Sequence, residues 1–263
     1  MSDNKTYSEI MKKLIKNIIN KFGYEIKRLN PEFKQINFDD LIKEKICKNP
    51  VIFDVGGNKG QSIERYIKIF NKPTIHSFEP INSEFNFMNE KFKNNKNIFL
   101  NNYALGDKTC KQKLNVTAIT GNSSFNKIRP GTKWLKTRSY QSNTSSKTYV
   151  KSIQEVDVKK LDDYVEINNI NKIDLLKIDT QGYEDKILKG SQKTIKGNKV
   201  KVIMTEIMFD NVYNKHFSFS DIEKFIIPNN FRMIGIDLPV NNLFSGLFFF
   251  ADVYYFNKKY FNI

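Results

Sequence analysis

The sequence predicts an α/β fold, a doubly wound, mostly parallel seven-stranded sheet with an N-terminal helical extension. Three observations predict it. Strand-like runs at 51–55, 74–79, 98–103, 173–179 and 200–207 alternate with helical stretches at 60–70, 82–93 and 184–196, as parallel βαβ units require. The first strand runs straight into a glycine-rich loop, Asp54-Val55-Gly56-Gly57-Asn58-Lys59-Gly60, where glycines permit a tight turn and a close approach to the backbone. Near the C-terminus, Arg232 to Asp237 and Leu247 to Asn257 flank the turn formers Pro239 and Asn241-Asn242. These read as two further strands joined by a turn.

The N-terminal 30 residues read as an amphipathic helix. Ile10, Leu14 and Ile18, and Met11, Ile15, Ile19 and Phe22, recur at spacings of three and four, and Gly23 stands where a helix ends. Lys12, Lys13, Lys16 and Lys21 interleave with them. Such a helix can lie on a membrane; the expected seat is its own domain or a partner subunit, which makes a homo-oligomer through this helix an expectation. Residues 31–50 link it to the core, with a short helix near Asp39 to Cys47. The expected layout is an extension at 1–48 and a cofactor-binding domain at 49–263. The latter carries an insertion at about 107–160, with β-prone pieces at Lys113 to Ile119 and Thr148 to Val158. A connection this long is usually functional. It holds Trp134 with Arg129, Lys133, Arg138 and Tyr140, residue types that suit a sugar or phosphorylated ligand.

The chain has 263 residues, with 43 Lys and Arg against 28 Asp and Glu, a formal net charge of +15. A basic balance attracts anionic partners. Here it is spread along the chain rather than clustered, as compositional bias alone would give, so nucleic acid is not the expected partner; a phosphate-bearing small molecule is the other reading. Cys47 and Cys110 lie far apart and make no disulfide framework. The start of the chain lacks a clean apolar segment of the signal-peptide kind, and the longest apolar run, Leu247 to Phe256, is broken by Asp252. The expectation is a cytoplasmic protein with no transmembrane segment.

The glycine spacing selects the ligand. A strand at Thr74-Ile75-His76-Ser77-Phe78 ends in Glu79-Pro80, placing a carboxylate at the second strand tip of a βαβ unit, where it can accept two ribose hydroxyls. With the glycine loop and the free N–H groups of the next helix, this indicates an adenosine-containing cofactor. A dinucleotide fingerprint from Gly56 needs glycines where Asn58 and Gln61 stand, and Gly60-Gln61-Ser62 is not a P-loop. What remains, Asp-x-Gly-x-x-x-Gly with a glutamate-tipped strand about 20 residues on, resembles class I S-adenosylmethionine methyltransferases. On this reading Glu79 takes the ribose hydroxyls. Asp54, Gly56, Asn58 and Gly60 hold the methionine end, and Tyr103 and Ala104 flank the adenine.

A second dense motif is Asp174-Leu175-Leu176-Lys177-Ile178-Asp179-Thr180-Gln181-Gly182-Tyr183-Glu184. Alternation along a strand puts Lys177 and Asp179 on one face, and the next strand ends in Thr205-Glu206. Asp179, Glu206 and Lys177 are therefore candidate catalytic groups. The carboxylates could act as a general base or hold Mg²⁺ or Mn²⁺. Alternatively Asp179 meets the cofactor's amino group while Glu206 pairs with Lys177. His76 reads as a packed strand residue. His216 is a candidate base or third metal ligand.

Taken together, the glycine loop, Phe78-Glu79-Pro80, Ala104-Leu105-Gly106-Asp107, Asn122-Ser123-Ser124-Phe125, Leu161-Asp162-Asp163, Lys177 to Glu184 and Leu188-Lys189-Gly190 resemble the FkbM family of methyltransferases over about residues 50–257. Gly23-Tyr24-Glu25-Ile26 is similar to a lead-in common in that family. The chain departs from it at Gly57, usually alanine, and at Gln181, frequently glutamate. The resemblance implies a class I, Rossmann-like fold and O-methylation of a hydroxyl on a sugar or polyketide. A nucleotide-activated sugar or a surface (capsule) polysaccharide precursor would be the acceptor. It also marks Asn122 and Ser124 as candidate substrate contacts, beside Trp134, which the insertion's own residue types put forward. The alternatives are an RNA or other nucleic-acid methyltransferase and a non-catalytic adenosyl-ligand binding module. Against the former, Asp179-Thr180-Gln181-Gly182 stands where base N-methyltransferases carry an Asn/Asp-Pro-Pro-aromatic motif.

Overall fold

The structure, a computed structural model, describes residues 3–24, 37–209, 211–215, 218–238 and 250–262, with the backbone alone for 3–10. The chain forms two compact units, Met1–Leu41 and Ile42–Ile263. In the first, α1 (Asp3–Lys21) ends at Gly23, whose φ of 82 is left-handed. Tyr24 N–H reaches Ile19 O at 3.2 Å and Gly23 N–H reaches Asn20 O at 3.0 Å, the paired bonds that satisfy a helix's last carbonyls. The helix α2 (Phe38–Lys45) starts where the Asn37 side-chain oxygen accepts from Asp39 N–H, as a cap does.

The second unit is built on the predicted sheet. Its strands are β1 (Val51–Val55), β2 (Thr74–Phe78) and β3 (Ile98–Asn101), then β7 (Ile173–Ile178), β8 (Val200–Met208), β9 (Phe231–Asp237) and β10 (Phe250–Asn257). They lie in the order β3-β2-β1-β7-β8-β10-β9. The first five are parallel, and β10 runs antiparallel to both β8 and β9. The helices α3 (Gln61–Ile69) and α4 (Asn82–Phe92) follow β1 and β2. Each residue of β7 is buried, as a central strand covered on both faces must be. Strand order reverses between β1 and β7, so the loops after these two strands open on one crevice.

Two expected boundaries move. The third strand stops at Asn101 because Asn101 and Asn102 turn their amides onto backbone carbonyls, Ser77 O at 3.2 Å and Glu79 O at 3.0 Å. The single helix expected over 184–196 breaks into α7 (Glu184–Lys189) and α8 (Gln192–Lys196). Gly190, between them, packs against the Gly106 carbonyl so closely that a Cβ would overlap it, and Asp107 pairs there with Lys186 at 3.4 Å and Lys189 at 3.2 Å. The last strand is described from Phe250; Leu247 to Phe249 and the turn residues Pro239, Asn241 and Asn242 lie outside the described residues.

The insertion is a folded layer. Ala104–Leu105 (β4), Cys110–Thr117 (β5) and Val150–Lys159 (β6) form a second sheet in the order β4-β6-β5. The helix α5 (Lys133–Gln141) is capped by the Thr132 hydroxyl, which accepts from Leu135 N–H at 3.2 Å. The helix α6 (Leu161–Ile167) returns the chain to the main sheet, and α9 (Phe219–Glu223) precedes its closing hairpin.

Candidate functional site

The crevice at the sheet's reversal point is a cavity of about 310 Å³. Gly56, Gly57 and Asn58 form one wall, Glu79 and Ile81 a second, and Asp179, Thr180 and Gln181 a third. Leu114, Thr120, Ser123 and Phe125 of the insertion roof it. The walls stay close because Gly56 is left-handed (φ 88) and a Cβ there would overlap the Asp179 carbonyl; the Asp179 N–H reaches across to Val55 O at 3.1 Å. Asn58, with φ 44, donates its side-chain amide to the Thr120 hydroxyl at 3.2 Å and so ties the glycine loop to the roof.

Glu79 is buried and held by two backbone donors, Asn58 N–H and Ile81 N–H, each at 2.7 Å and each on a different carboxylate oxygen. A carboxylate oxygen takes more than one donor, so both keep acceptor capacity toward the cavity they line. Burial pushes Glu79 up to about 7, against the pull of its two N–H donors.

Asp54 does not line the cavity. It is fully buried, accepts from Ser77 Oγ at 3.0 Å and pairs with Lys177 at 3.1 Å. Lys177 also lies 3.5 Å from Asp179. Burial opposes the lysine's charge, but Asp54 and Asp179 outweigh it and hold Lys177 above the ordinary lysine range. Two carboxylates around one ammonium leave a net negative charge at the cavity wall.

Asp179 lines the cavity with 36% of its side chain exposed, while Glu206 is buried behind it. Between them stands Gln181, whose amide donates to Asp179 at 3.2 Å and Glu206 at 2.9 Å; the Tyr213 hydroxyl donates to its oxygen at 3.3 Å. This arrangement corrects one expectation: Glu206 is met by Gln181 rather than Lys177. The Gln181 amide stands between the two carboxylates. Among the described residues no group of three or more His, Cys, Asp or Glu could hold a metal ion. Burial, with Asp179 and Glu184 nearby, drives Glu206 well above the usual carboxylate range. Across the strand pair from it, Asp252 rises to about 6, again chiefly by burial.

Other expected site residues sit elsewhere. Gly60 (φ 79) opens α3 and packs on the Phe92 ring. Ala104 lines the cavity, but Tyr103 is turned away onto Phe78, with Lys159 4.1 Å above its ring. Asn122 donates to Tyr149 OH at 2.7 Å, and Ser124 donates to Gln181 O at 2.7 Å. Ser124 thus braces the loop after β7 and Asn122 the insertion, and neither lines the cavity. Trp134 is buried in a separate cluster with Tyr149 and Tyr213, so it is core to the insertion rather than a ligand contact. His76 is packed, stacked on Phe99 with its Nδ1 2.8 Å from Tyr164 OH, and burial lowers it to about 4. His216 lies outside the described residues.

Sequence reasoning missed the apolar end of the cavity: Ile81, Leu105, Leu114, Phe125 and Tyr183. Leu114 and Val116 alternate with Lys113 and Asn115, a half-buried strand pattern that could have revealed the roof's inner face. Glu184 was also missed. It accepts from Thr180 N–H at 2.9 Å and Gly182 N–H at 3.2 Å and shapes the loop that carries Gln181.

A family profile described as the methyltransferase FkbM domain matches residues 54–233. No curated protein sequence matches the chain. Among solved structures, it is similar to an rRNA methylase from Streptococcus thermophilus at 10% identity and a TM-score of 0.46, covering 84% of this chain and 93% of that one. It is similar to a SAM-dependent methyltransferase from Aquifex aeolicus at 11% identity and a TM-score of 0.43, covering 83% and 88%. A precorrin-6y C5,15-methyltransferase from Geobacter metallireducens GS-15 matches at 8% identity and a TM-score of 0.41, covering 88% and 94%.

Proposed function

The chain belongs to the methyltransferase FkbM domain family, and from that premise we propose that it is an S-adenosylmethionine-dependent O-methyltransferase acting on a sugar hydroxyl. The acceptor is the sugar of a nucleotide-activated intermediate or of a surface-polysaccharide precursor. The observation that carries the reading is the cavity's division into two ends. Glu79 with free acceptor capacity and an apolar group of Ile81, Leu105, Leu114 and Phe125 suit an adenosine, while the glycine loop and Asp179 form a polar, net-negative end.

The residues present fit that cofactor. Glu79 would accept the two ribose hydroxyls, its orientation already set by Asn58 and Ile81 N–H. Ala104 and Leu105 would flank the adenine, with Phe125 as the roof. Gly56 and Asn58 would hold the methionine end through the loop backbone. S-adenosylmethionine supplies an activated methyl on a positively charged sulfur. Asp179, the exposed carboxylate at the polar end, would accept the acceptor hydroxyl's proton as that oxygen attacks. Gln181 and Lys177 hold Asp179 in place, so the acceptor oxygen and the methyl are brought into line by fixed groups.

Transfer of a tritiated methyl group to a panel of nucleotide sugars and glycan fragments tests this reading. The expected result is label on a sugar oxygen, lost by about 10²–10⁴-fold in Asp179→Asn. Label going only to RNA, or to nothing while the cofactor binds tightly, would overturn it in favour of a nucleic-acid enzyme or a non-catalytic binding module.

A further inference from the structure

Among the described residues of the N-terminal unit, none covers the face of α1 that carries its apolar side chains. Residues three and four apart share a helix face, and Met11, Leu14, Ile15, Ile18 and Phe22 follow that spacing. Their exposure runs from 46% at Ile15 to 76% at Phe22, and Tyr24, just past the cap, is 71% exposed. An apolar patch of this kind marks an interaction surface rather than ordinary scatter.

The charges on the same helix are mostly basic. Over Asp3 to Lys21 the sequence has five lysines, Lys5, Lys12, Lys13, Lys16 and Lys21, against Asp3 and Glu9. At about 100° per residue, Lys12 and Lys21 border the apolar arc on its two sides, while Lys13 and Lys16 lie opposite it. Bordering lysines can lay their methylene stems along an apolar surface and lift the ammonium groups to its edge.

We propose that α1 docks on the surface of an anionic phospholipid bilayer. The apolar side chains would sit at the boundary of headgroups and acyl chains, and the lysines against lipid phosphates. This occupant satisfies both halves of the helix. A nucleic acid would meet the lysines and leave five large apolar side chains in water. A second copy would cover the apolar face but bring together two helices that each carry five lysines against two carboxylates. The net charge of +15 over the chain adds to the attraction for an anionic surface. The helix lies on the bilayer and does not cross it, since among the described residues no helix is long and apolar enough to span a membrane.

Co-sedimentation of the full chain with vesicles tests the proposal, using phosphatidylcholine alone and phosphatidylcholine mixed with phosphatidylglycerol. Partitioning onto the anionic vesicles should exceed that onto the neutral ones at least about tenfold and weaken with added salt. Ile15→Glu/Ile18→Glu should lower it by at least about tenfold, and Lys12→Glu/Lys13→Glu/Lys16→Glu should abolish the preference for anionic lipid. The lysine variant alters only the polar side, so it remains informative if the isoleucine pair disturbs folding. Wild-type protein that stays in the supernatant with anionic vesicles overturns the proposal, as does an isoleucine-pair variant that pellets like wild type. A wild-type dimer by light scattering that dissociates in the isoleucine-pair variant, without vesicle binding, gives the face to a second copy and also overturns it.

Discussion

On the proposed reading, Glu79 is a single side chain prepared for a ligand before it arrives. Two backbone N–H groups fix its carboxylate, while burial raises it to about 7. The sign follows from linkage. A folded-state value above the ordinary one means that its proton stabilises the ligand-free fold at low pH, and that this stabilisation is lost as pH rises through about 7. Ribose hydroxyls need the ionised acceptor, so cofactor affinity should move the opposite way. Between pH 6 and 8, calorimetry should find affinity rising in wild type and nearly flat in Glu79→Gln, while the ligand-free melting temperature falls more steeply in wild type. A second residue-scale prediction concerns Gln181, with its left-handed φ of 57 and an amide shared between two carboxylates. Gln181→Leu removes the donors to Asp179 and Glu206 and should cost about 1–3 kcal/mol, read by thermal melting as about 2–4 °C per kcal/mol.

At the scale of elements, loops crossing at glycines shape the molecule as much as strands do. Gly190 against the Gly106 carbonyl splits what the sequence presents as one helix. Gly190→Ala should therefore destabilise by about 1–3 kcal/mol, whereas Gly131→Ala, with open space around its Cβ position, should cost only the strain of its φ of 78; chemical denaturation of the two variants checks this. The parallel strands and their order of use were legible because apolar runs and glycine turns are local signals. The break at Gly190 was not, since it depends on a loop more than 80 residues away in sequence. The same holds at the site. Asp179 and Glu79 could be read from strand tips, but the bridging role of Gln181 and the inward turn of Trp134 depend on tertiary packing. Asn122 and Ser124 were noticed through the family motif, and the structure gives them bracing bonds instead of a place at the cavity wall.

At the scale of the whole molecule, a seven-stranded sheet brings two loop tips together and a folded insertion covers them. The reversal of strand order between β1 and β7 explains why the crevice lies there. The insertion, by supplying the cavity's apolar roof, explains why a connection of this length persists between β4 and α6. The central claim is that this crevice takes S-adenosylmethionine through Glu79. Isothermal titration of the purified chain with S-adenosylmethionine, wild type beside Glu79→Ala, tests it most directly. The account predicts one site per chain, with an affinity reduced at least about tenfold in the variant, as loss of two hydrogen bonds to a buried carboxylate requires. Equal affinity in the two proteins, or no heat of binding in the wild type at millimolar ligand, would contradict it.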